Sequence, residues 1–394
     1  MTKKTVKDID VKKKKVLVRV DFNVPMKHDG TITYDTRIRA CLPTIEYLMN
    51  QQSRIILCSH LGRPGGKVVE ELRLAPAAAR LSELLRKPVE ALRDCVGPQV
   101  EAAVSTLQDG DIVLLENLRF YPQEEANDPD FAQRLSRLAD TYVDDAFGSC
   151  HRAHASIVGI ARYLPAVAGL LLDKEIKNLS GLMANPDRPF AVMIGGAKVA
   201  TKLGLLDNIL PKVNFLLIGG GMIATFLKSQ GHGVGASSVE NDQLDQVLKL
   251  GEKARSLGVR MLLPLDLLIT QKLEAGATTK IVSIDQVSEG WLIADIGPKT
   301  IAAFSKELNG CKTVFWNGPL GVFEIPQFAE GTRSLARFLT NLKATTVIGG
   351  GSTAEAVEEM GLTDKMSYVS TGGGASLELL QGKVLPGVAV LQDK

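Results

Sequence analysis

Phe190-Ala191-Val192-Met193-Ile194-Gly195-Gly196-Ala197-Lys198-Val199-Ala200-Thr201-Lys202 is the stretch around which the rest of the chain can be organised. Its apolar run reads as a buried strand, its two glycines as a break, and the residues after them as a helix. In a helix, Lys198 and Lys202 stand at i and i+4, on one face near the amino end. That placement is unfavourable twice. Like charges at this spacing repel by about 0.2–0.5 kcal/mol, and cations oppose the positive end of the helix dipole. Two solvated surface lysines are the ordinary explanation of such a pair. At a strand–glycine–helix junction, however, open backbone N–H groups favour an anion. A phosphate between the lysines would turn both penalties into attractions.

Outward from this junction, strands and helices alternate, which predicts an α/β fold with parallel sheets and helices on their faces. In the second half, strands are expected at 190–194, 213–218, 260–263, 312–316, 344–348 and 366–370. In the first half they are expected at 16–20, 54–58, 111–115 and 142–145. Helices are expected at 36–50, 75–85 and 131–139, the first with Ile38, Leu42, Ile45 and Leu48 as its apolar positions. An amphipathic stretch from Gly169 to Leu179 separates the two halves. The expectation is two doubly wound domains of similar size, 1–168 and 186–376, joined by a helix and hinge at 169–185. The segment 377–394 contains the apolar Val388-Ala389-Val390-Leu391 and is expected to dock, with the first domain as the candidate.

Composition excludes several classes. With 46 basic and 44 acidic residues among 394, the net charge is +2, so neither nucleic acid nor a membrane surface is advertised as partner. A cationic site must then be local. The basic run at 12–15 reads as solvated surface before a strand. Five cysteines without a CxxC pair argue against a disulfide framework or zinc site and for a reducing compartment. The lysine-rich start is no signal peptide, and no apolar run is long enough to span a bilayer. The expectation is a soluble, cytoplasmic protein.

In open parallel sheets, ligands bind beyond the carboxyl ends of the strands. The two halves differ in what they place there. The second offers glycine: Gly195-Gly196, Gly219-Gly220-Gly221, Asn317-Gly318-Pro319, Gly349-Gly350-Gly351 and Thr371-Gly372-Gly373-Gly374. One such cluster is an ordinary tight turn; five at successive strand ends point to a nucleotide cradle. The first half offers Asp21, Asn23, His60, Arg63 and Arg119, with Arg37 and Arg152 in nearby connections. Four arginines on the ligand-facing side of a nearly neutral chain suggest grips for phosphate or carboxylate. His151 and His154 lack a third ligand type nearby, so anion contact or packing is favoured over metal.

Two clusters, 219–224 and 349–354, also fit the dinucleotide pattern GxGxxA. A dinucleotide-dependent oxidoreductase is therefore the alternative. Against it, neither cluster follows the first strand of its half, and no acidic residue ends a following strand at the right distance. There is no Walker A motif and no protein-kinase signature.

The chain resembles the phosphoglycerate kinase family from end to end. The resemblance is carried by VRVDFNVP (18–25), SHLGRP (59–64), ENLRFYP (116–122), HRAHAS (151–156), GGAKVATKL (195–203), FWNGPLGVFE (315–324), IGGG (348–351) and STGGGAS (370–376). It implies phosphoryl transfer between 1,3-bisphosphoglycerate and ADP, giving 3-phosphoglycerate and ATP, with Mg²⁺ accompanying the nucleotide, in a monomer that closes about the hinge helix. In the first domain it implies phosphoglycerate contacts at Asp21, Phe22, Asn23, Arg37, His60, Leu61, Gly62, Arg63, Arg119 and Arg152. In the second it implies nucleotide contacts at Gly195, Lys202, Gly219, Asn317, Glu324, Gly350, Gly351, Ser352 and Thr353. Glu324 would meet the ribose. Arg37, Lys198 and Lys202 would stabilise the moving group, helped by amides at Gly372 to Gly374.

General chemistry agrees. The acceptor is a carboxylate with an ordinary pKa of about 4, already ionised at neutral pH. No catalytic base is required, and positioning and cationic stabilisation remain. One residue departs from the family. Where it commonly has a metal-binding Asp after IGGG, this chain has Ser352, so Mg²⁺ is expected to rest mainly on nucleotide oxygens and water.

Overall fold

The apolar runs become the strands of two six-stranded parallel sheets, in a computed structural model that describes residues 2–27 and 29–394. The chain divides into two compact units, Met1–Lys177 with Val384–Lys394, and Asn178–Lys383. The helix Leu170–Ala184 runs from one into the other.

The first unit holds β1 (Lys15–Arg19), β2 (Arg54–Cys58), β3 (Glu90–Ala91), β4 (Ile112–Leu114), β5 (Thr141–Asp144) and β6 (Ala166–Ala168). Their order is β3-β4-β2-β1-β5-β6. Val16, Leu17 and Val18 of β1 are all fully buried, as expected for a central strand covered on both faces. The helix Thr36–Asn50 turns Ile38, Cys41, Ile45 and Leu48 into the core. Cys41 takes the place expected for Leu42, which is only partly buried; the four buried positions follow the 3,4,3 spacing of one helical face. Each buried aliphatic side chain contributes about 1.5–3 kcal/mol.

Because β2 and β5 flank β1 on opposite sides, the strand order reverses there. The crevice of this sheet therefore lies beyond the carboxyl end of β1, at Asp21 to Asn23. Behind it, Asp145 caps the helix Leu170–Ala184, its Oδ1 accepting from the Leu171 and Leu172 amides at 2.9 and 3.1 Å. The chain end returns to this unit: Lys4 N–H donates to Gln392 O at 2.9 Å and Gln392 N–H to Ala166 O at 3.0 Å. The return starts at Val384, whereas 377–383 stay with the second unit, where Asn208 Nδ2 donates to Leu380 O at 2.7 Å.

The second unit holds β7 (Phe190–Ile194), β8 (Phe215–Ile218), β9 (Arg260–Leu262), β10 (Asp266–Thr270), β11 (Thr279–Ser283), β12 (Leu292–Ile296), β13 (Thr313–Asn317), β14 (Thr345–Gly349) and β15 (Tyr368–Val369). Six form the parallel sheet β15-β14-β13-β7-β8-β9; the other three form an antiparallel sheet β11-β10-β12. Alternation of strand and helix did not announce this second sheet. Its edge strand β11 is mostly exposed and polar, so it reads as loop, while Leu267, Ile269, Ile293 and Ile296 of its partners join the main core. The order of the parallel sheet reverses between β7 and β13, which brings Gly195 beside Asn317. Among the described residues, no helix is long and apolar enough to cross a membrane.

Candidate active site

In the first unit the strand-end loops are laced together by side chains. Arg37 Nη1 donates to Asp21 Oδ2 at 2.6 Å, and the Asn23 amide to Asp21 Oδ1 at 3.1 Å. Asn23 Oδ1 accepts from the Gly62 amide at 2.9 Å, while Arg119 Nη1 donates to Gly62 O at 2.8 Å. Asn117 ties the same loops from beneath: its Oδ1 accepts the Leu61 and Arg119 amides, and its Nδ2 donates to Leu61 O and Leu72 O. Burial alone would raise the Asp21 carboxyl, but Arg37 and Arg19 nearby hold it at about 2, so it stays ionised.

Arg19 lies under this surface, fully buried, donating to His60 Nδ1 at 3.0 Å and to Ser156 Oγ at 2.9 Å. A guanidinium has no acceptor, so His60 Nδ1 must carry the lone pair and Nε2 the proton. Burial and Arg19 together push His60 well below its ordinary value. It is a neutral N–H donor. Burial brings Arg119 down to about 10, with Glu125 opposing and Arg152 reinforcing the shift. His154 falls to about 4 through burial, then Arg119. Arg152 is half-buried, its Nε donating to His151 Nε2 at 3.3 Å, and Arg63 is exposed on the loop after β2. Cations held this closely, at a cost in desolvation, are in want of an anion.

The sites expected at Phe22 and Leu61 change character. Both side chains are buried in the core, so only their main chains are available to a ligand. Arg19 and Asn117, which sequence reasoning passed over, hold the surface in place. The available signal for Arg19 was a charge inside an otherwise apolar central strand.

In the second unit the opening junction is not a helix at its lysines. The helix begins at Leu203 and runs to Ile209, with Lys202 at its cap and Lys198 in the turn before it. The cause is local. The Glu240 carboxylate accepts the Val199 and Ala200 amides, and Val199 O accepts from the Lys202 and Leu203 amides at 2.7 and 3.1 Å. The two lysines therefore do not share a helix face, and the anion on those amides is the protein's own. Lys198 is exposed; Lys202 is half-buried and donates to Asn317 Oδ1. Burial lowers Lys202 to about 8.

Several expected glycine contacts also change. A Cβ on Gly195 would lie 2.1 Å from Pro319 O, and one on Gly219 2.3 Å from Leu320 Cδ2. At both glycines chain packs on chain, which by itself accounts for the missing side chain. The Gly372 amide is engaged with Ser370 Oγ at 3.1 Å, which leaves Gly373 and Gly374, at the start of the helix Gly374–Leu380, as the open part of that loop. Thr353 is buried, its Oγ1 accepting the Gly318 amide at 2.6 Å.

What remains forms a compact group of donors. Gly350, at φ +88°, turns the chain into the helix Gly351–Glu359. Its first-turn amides have no helical carbonyl to bond. Asn317 lies under Gly350, fully buried, with Nδ2 lacking any partner. Lys202 completes the group through Asn317. An unpartnered buried donor, a helix end and a desolvated ammonium together have the chemistry that suits an anion such as phosphate. Ser352 is exposed on this helix end; Glu324 is exposed and within electrostatic reach of Glu355, whose carboxyl is raised by burial and then by Glu359 and Glu324.

The model of phosphoglycerate kinase matches residues 6–383. The chain belongs to the phosphoglycerate kinase family. A phosphoglycerate kinase from Moorella thermoacetica is 54% identical over 394 residues and one from Dictyoglomus turgidum 52% over 398, each match spanning 100% of both chains. Solved phosphoglycerate kinases from Coxiella burnetii (41% identical) and Pyrococcus horikoshii (31%) each superpose with a TM-score of 0.85, covering 98% of both chains. The oxidoreductase alternative falls with this. Its first glycine pattern follows β8, away from the β7/β13 reversal, and Gly220 is pressed against Gly196 instead of a pyrophosphate.

The family implies Mg²⁺ with the nucleotide. Among the described residues there is no group of three or more His, Cys, Asp or Glu able to hold a metal. The side-chain oxygen at the exposed first turn of the helix Gly351–Glu359 is the neutral hydroxyl of Ser352. That chemistry fits a cation carried chiefly by phosphate oxygens and water.

Proposed function

We infer that the chain catalyses reversible transfer of a phosphoryl group from 1,3-bisphosphoglycerate to ADP, giving 3-phosphoglycerate and ATP, the glycolytic reaction of its family. The observation that carries the site assignment is the unpartnered Asn317 amide beside Lys202 and the amino end of the helix Gly351–Glu359. We assign nucleotide phosphates to that group, ribose to Glu324, and the phosphoglycerate to His60, Arg63, Arg119 and Arg152 on the first unit. His60 Nε2–H and the arginines are donors only, which suits a ligand that is acceptor at both ends. Asp21 orients Arg37 for the transferred group, and Lys198, exposed, meets the same group from the nucleotide side.

The acceptor carboxylate needs no base, so the rate comes from preorganised cations. Lys202 at about 8 is charged at neutral pH and is drawn fully to the ammonium by phosphate. Mg²⁺ arriving with the nucleotide would neutralise phosphate charge, with Ser352 Oγ the side chain at hand. The remaining assignments are a cytoplasmic monomer acting on small molecules, with neither nucleic acid nor membrane as partner.

The test is ATP consumption dependent on 3-phosphoglycerate, with and without Mg²⁺. Robust turnover is expected only with all three present. No turnover in the wild type would remove the assignment, and full turnover in Lys202→Ala would remove the role of that lysine.

A further inference from the structure

Glu240 has no place in the phosphoryl-transfer scheme above, yet it holds the turn that carries Lys198. Its own main chain is anchored on both sides: its amide donates to the buried Thr225 Oγ1 at 3.1 Å, and its carbonyl accepts from the Gln243 amide at 2.9 Å. Its carboxylate accepts the Val199 amide through Oε2 and the Ala200 amide through Oε1, the latter at 3.4 Å. Val199 is the pivot of the turn. Its side chain is fully buried, and its carbonyl takes the Lys202 and Leu203 amides. Lys198 O accepts Thr201 Oγ1 at 2.9 Å. Hydrogen bonds from amides to a carboxylate are roughly twice as strong as neutral ones. The carboxylate gives each of the two successive amides its own oxygen.

We propose that Glu240 is a positioning residue for phosphoryl transfer, fixing the backbone at Val199 and Ala200 so that Lys198 starts each turnover from one place. The idea rests on the reading of Lys198 as the group that meets the moving phosphoryl. A long flexible side chain is useful in a transition state only if its root is fixed, because the entropy lost at the tip is then smaller. Nucleotide binding depends on it less, since the Lys202 ammonium is held by Asn317 and the helix end at Gly351 lies elsewhere in the sheet.

The experiment compares Glu240→Ala, Glu240→Gln, Lys198→Ala and the Lys198→Ala/Glu240→Ala double variant in the full chain. Steady-state kinetics and amide hydrogen exchange are read on each. Glu240→Ala is expected to lower kcat about 10- to 100-fold, with KM for ADP and 3-phosphoglycerate within about threefold. Exchange at Val199 and Ala200 should rise at least about tenfold. Glu240→Gln, which keeps one acceptor, should recover part of both. In the Lys198→Ala background, removing Glu240 should cost no more than about twofold further. Losses that multiply, or unchanged protection at Val199 and Ala200, overturn the proposal while leaving the reading of Lys198 intact. A normal kcat in Lys198→Ala overturns that reading and the proposal with it. Thermal unfolding of each variant separates these outcomes from simple misfolding, and the Gln variant keeps the test open if Ala does not fold.

Discussion

In the function proposed above, the two units bind anions by opposite means. The first uses side chains: Arg37, His60, Arg119 and Arg152, desolvated and ordered by Asp21, Asn23, Asn117 and the buried Arg19. The second uses backbone: the amino end of the helix Gly351–Glu359, reached because Gly195, Gly219 and Gly318 let three loops pack chain against chain. Only Lys202 and Asn317 add side-chain atoms to its core. A side-chain site is tuned residue by residue, and burial makes its cations costly to leave without an anion. A backbone site is fixed by the fold, and mutation reaches it mostly through the glycines that shape it. This difference orders the effects to be expected from substitution.

Lys202→Ala removes the one charged side chain in the core of the backbone site and should lower kcat/KM about 10²–10³-fold with little change in thermal stability. Gly195→Ala should do the reverse. Its new Cβ meets a carbonyl at 2.1 Å, which no rotamer can avoid. The cost, about 3 kcal/mol, should appear as a lower Tm of roughly 6 °C or more in calorimetry. Gly351→Ala is the control, because a Cβ there meets nothing within 4 Å. It should keep its Tm and weaken ADP a few-fold by crowding the helix end. A stable Gly195→Ala protein would break the contrast between the units.

The contrast also has a pH signature. His60 is neutral and the Arg119 guanidinium, at about 10, stays charged, so affinity for 3-phosphoglycerate should be level from pH 7.5 to 9. Lys202 behaves otherwise. Its free-state value of about 8 means that binding a phosphate takes up a proton above that pH. ADP affinity should therefore fall as pH rises through 8, with a limiting slope of tenfold per unit. Isothermal titration at three pH values decides it, and Lys202→Arg should flatten the slope.

Stability has a pH term of its own. Asp145 is raised to about 7 by burial, above its unfolded value of 3.8, so the native state binds the extra proton between those values. Stability then falls as pH rises from about 4 to 7. Asp145→Asn keeps the acceptor for the Leu171 and Leu172 amides and removes that dependence. Its Tm should exceed wild type at pH 8 and match it near pH 4.

Much of this was legible in the sequence. The strands at 54–58 and 190–194 and the helices at 36–50 and 75–85 were bounded by their own periodicity and breakers. Glycine at the strand ends of one half and charge at those of the other were also readable, and the structure places both at the carboxyl ends of the parallel strands. Three things were not legible, for physical reasons. The turn at 198–202 looks helical by composition, but Glu240, about forty residues on, supplies a carboxylate that holds it open. Gly195 and Gly350 are the same letter, although one packs against Pro319 and the other over the Asn317 amide. The β10–β12 sheet was hidden because its edge strand β11, exposed and largely polar, reads as loop, although β10 and β12 are apolar and mostly buried.

The smallest effect falls where the backbone site has lost a side chain. Ser352 stands on the exposed first turn of the helix Gly351–Glu359, where the family commonly has Asp. A carboxylate there would be favoured by the helix dipole, by about 0.3–1 kcal/mol, and would offer Mg²⁺ an anionic ligand in place of a hydroxyl. It would also stand near nucleotide phosphate, whose repulsion the metal must offset. Ser352→Asp is thus expected to leave ADP affinity without Mg²⁺ slightly weaker and to tighten the Mg²⁺–ADP complex several-fold. Metal titrations followed by calorimetry separate the two terms. Tighter binding only with metal would show that the backbone cradle holds phosphate unaided and that the side chain at 352 is reserved for the cation. Equal tightening with and without metal would show that the carboxylate acts by stabilising the helix end, and that this cradle is less fixed by the fold than its glycines imply.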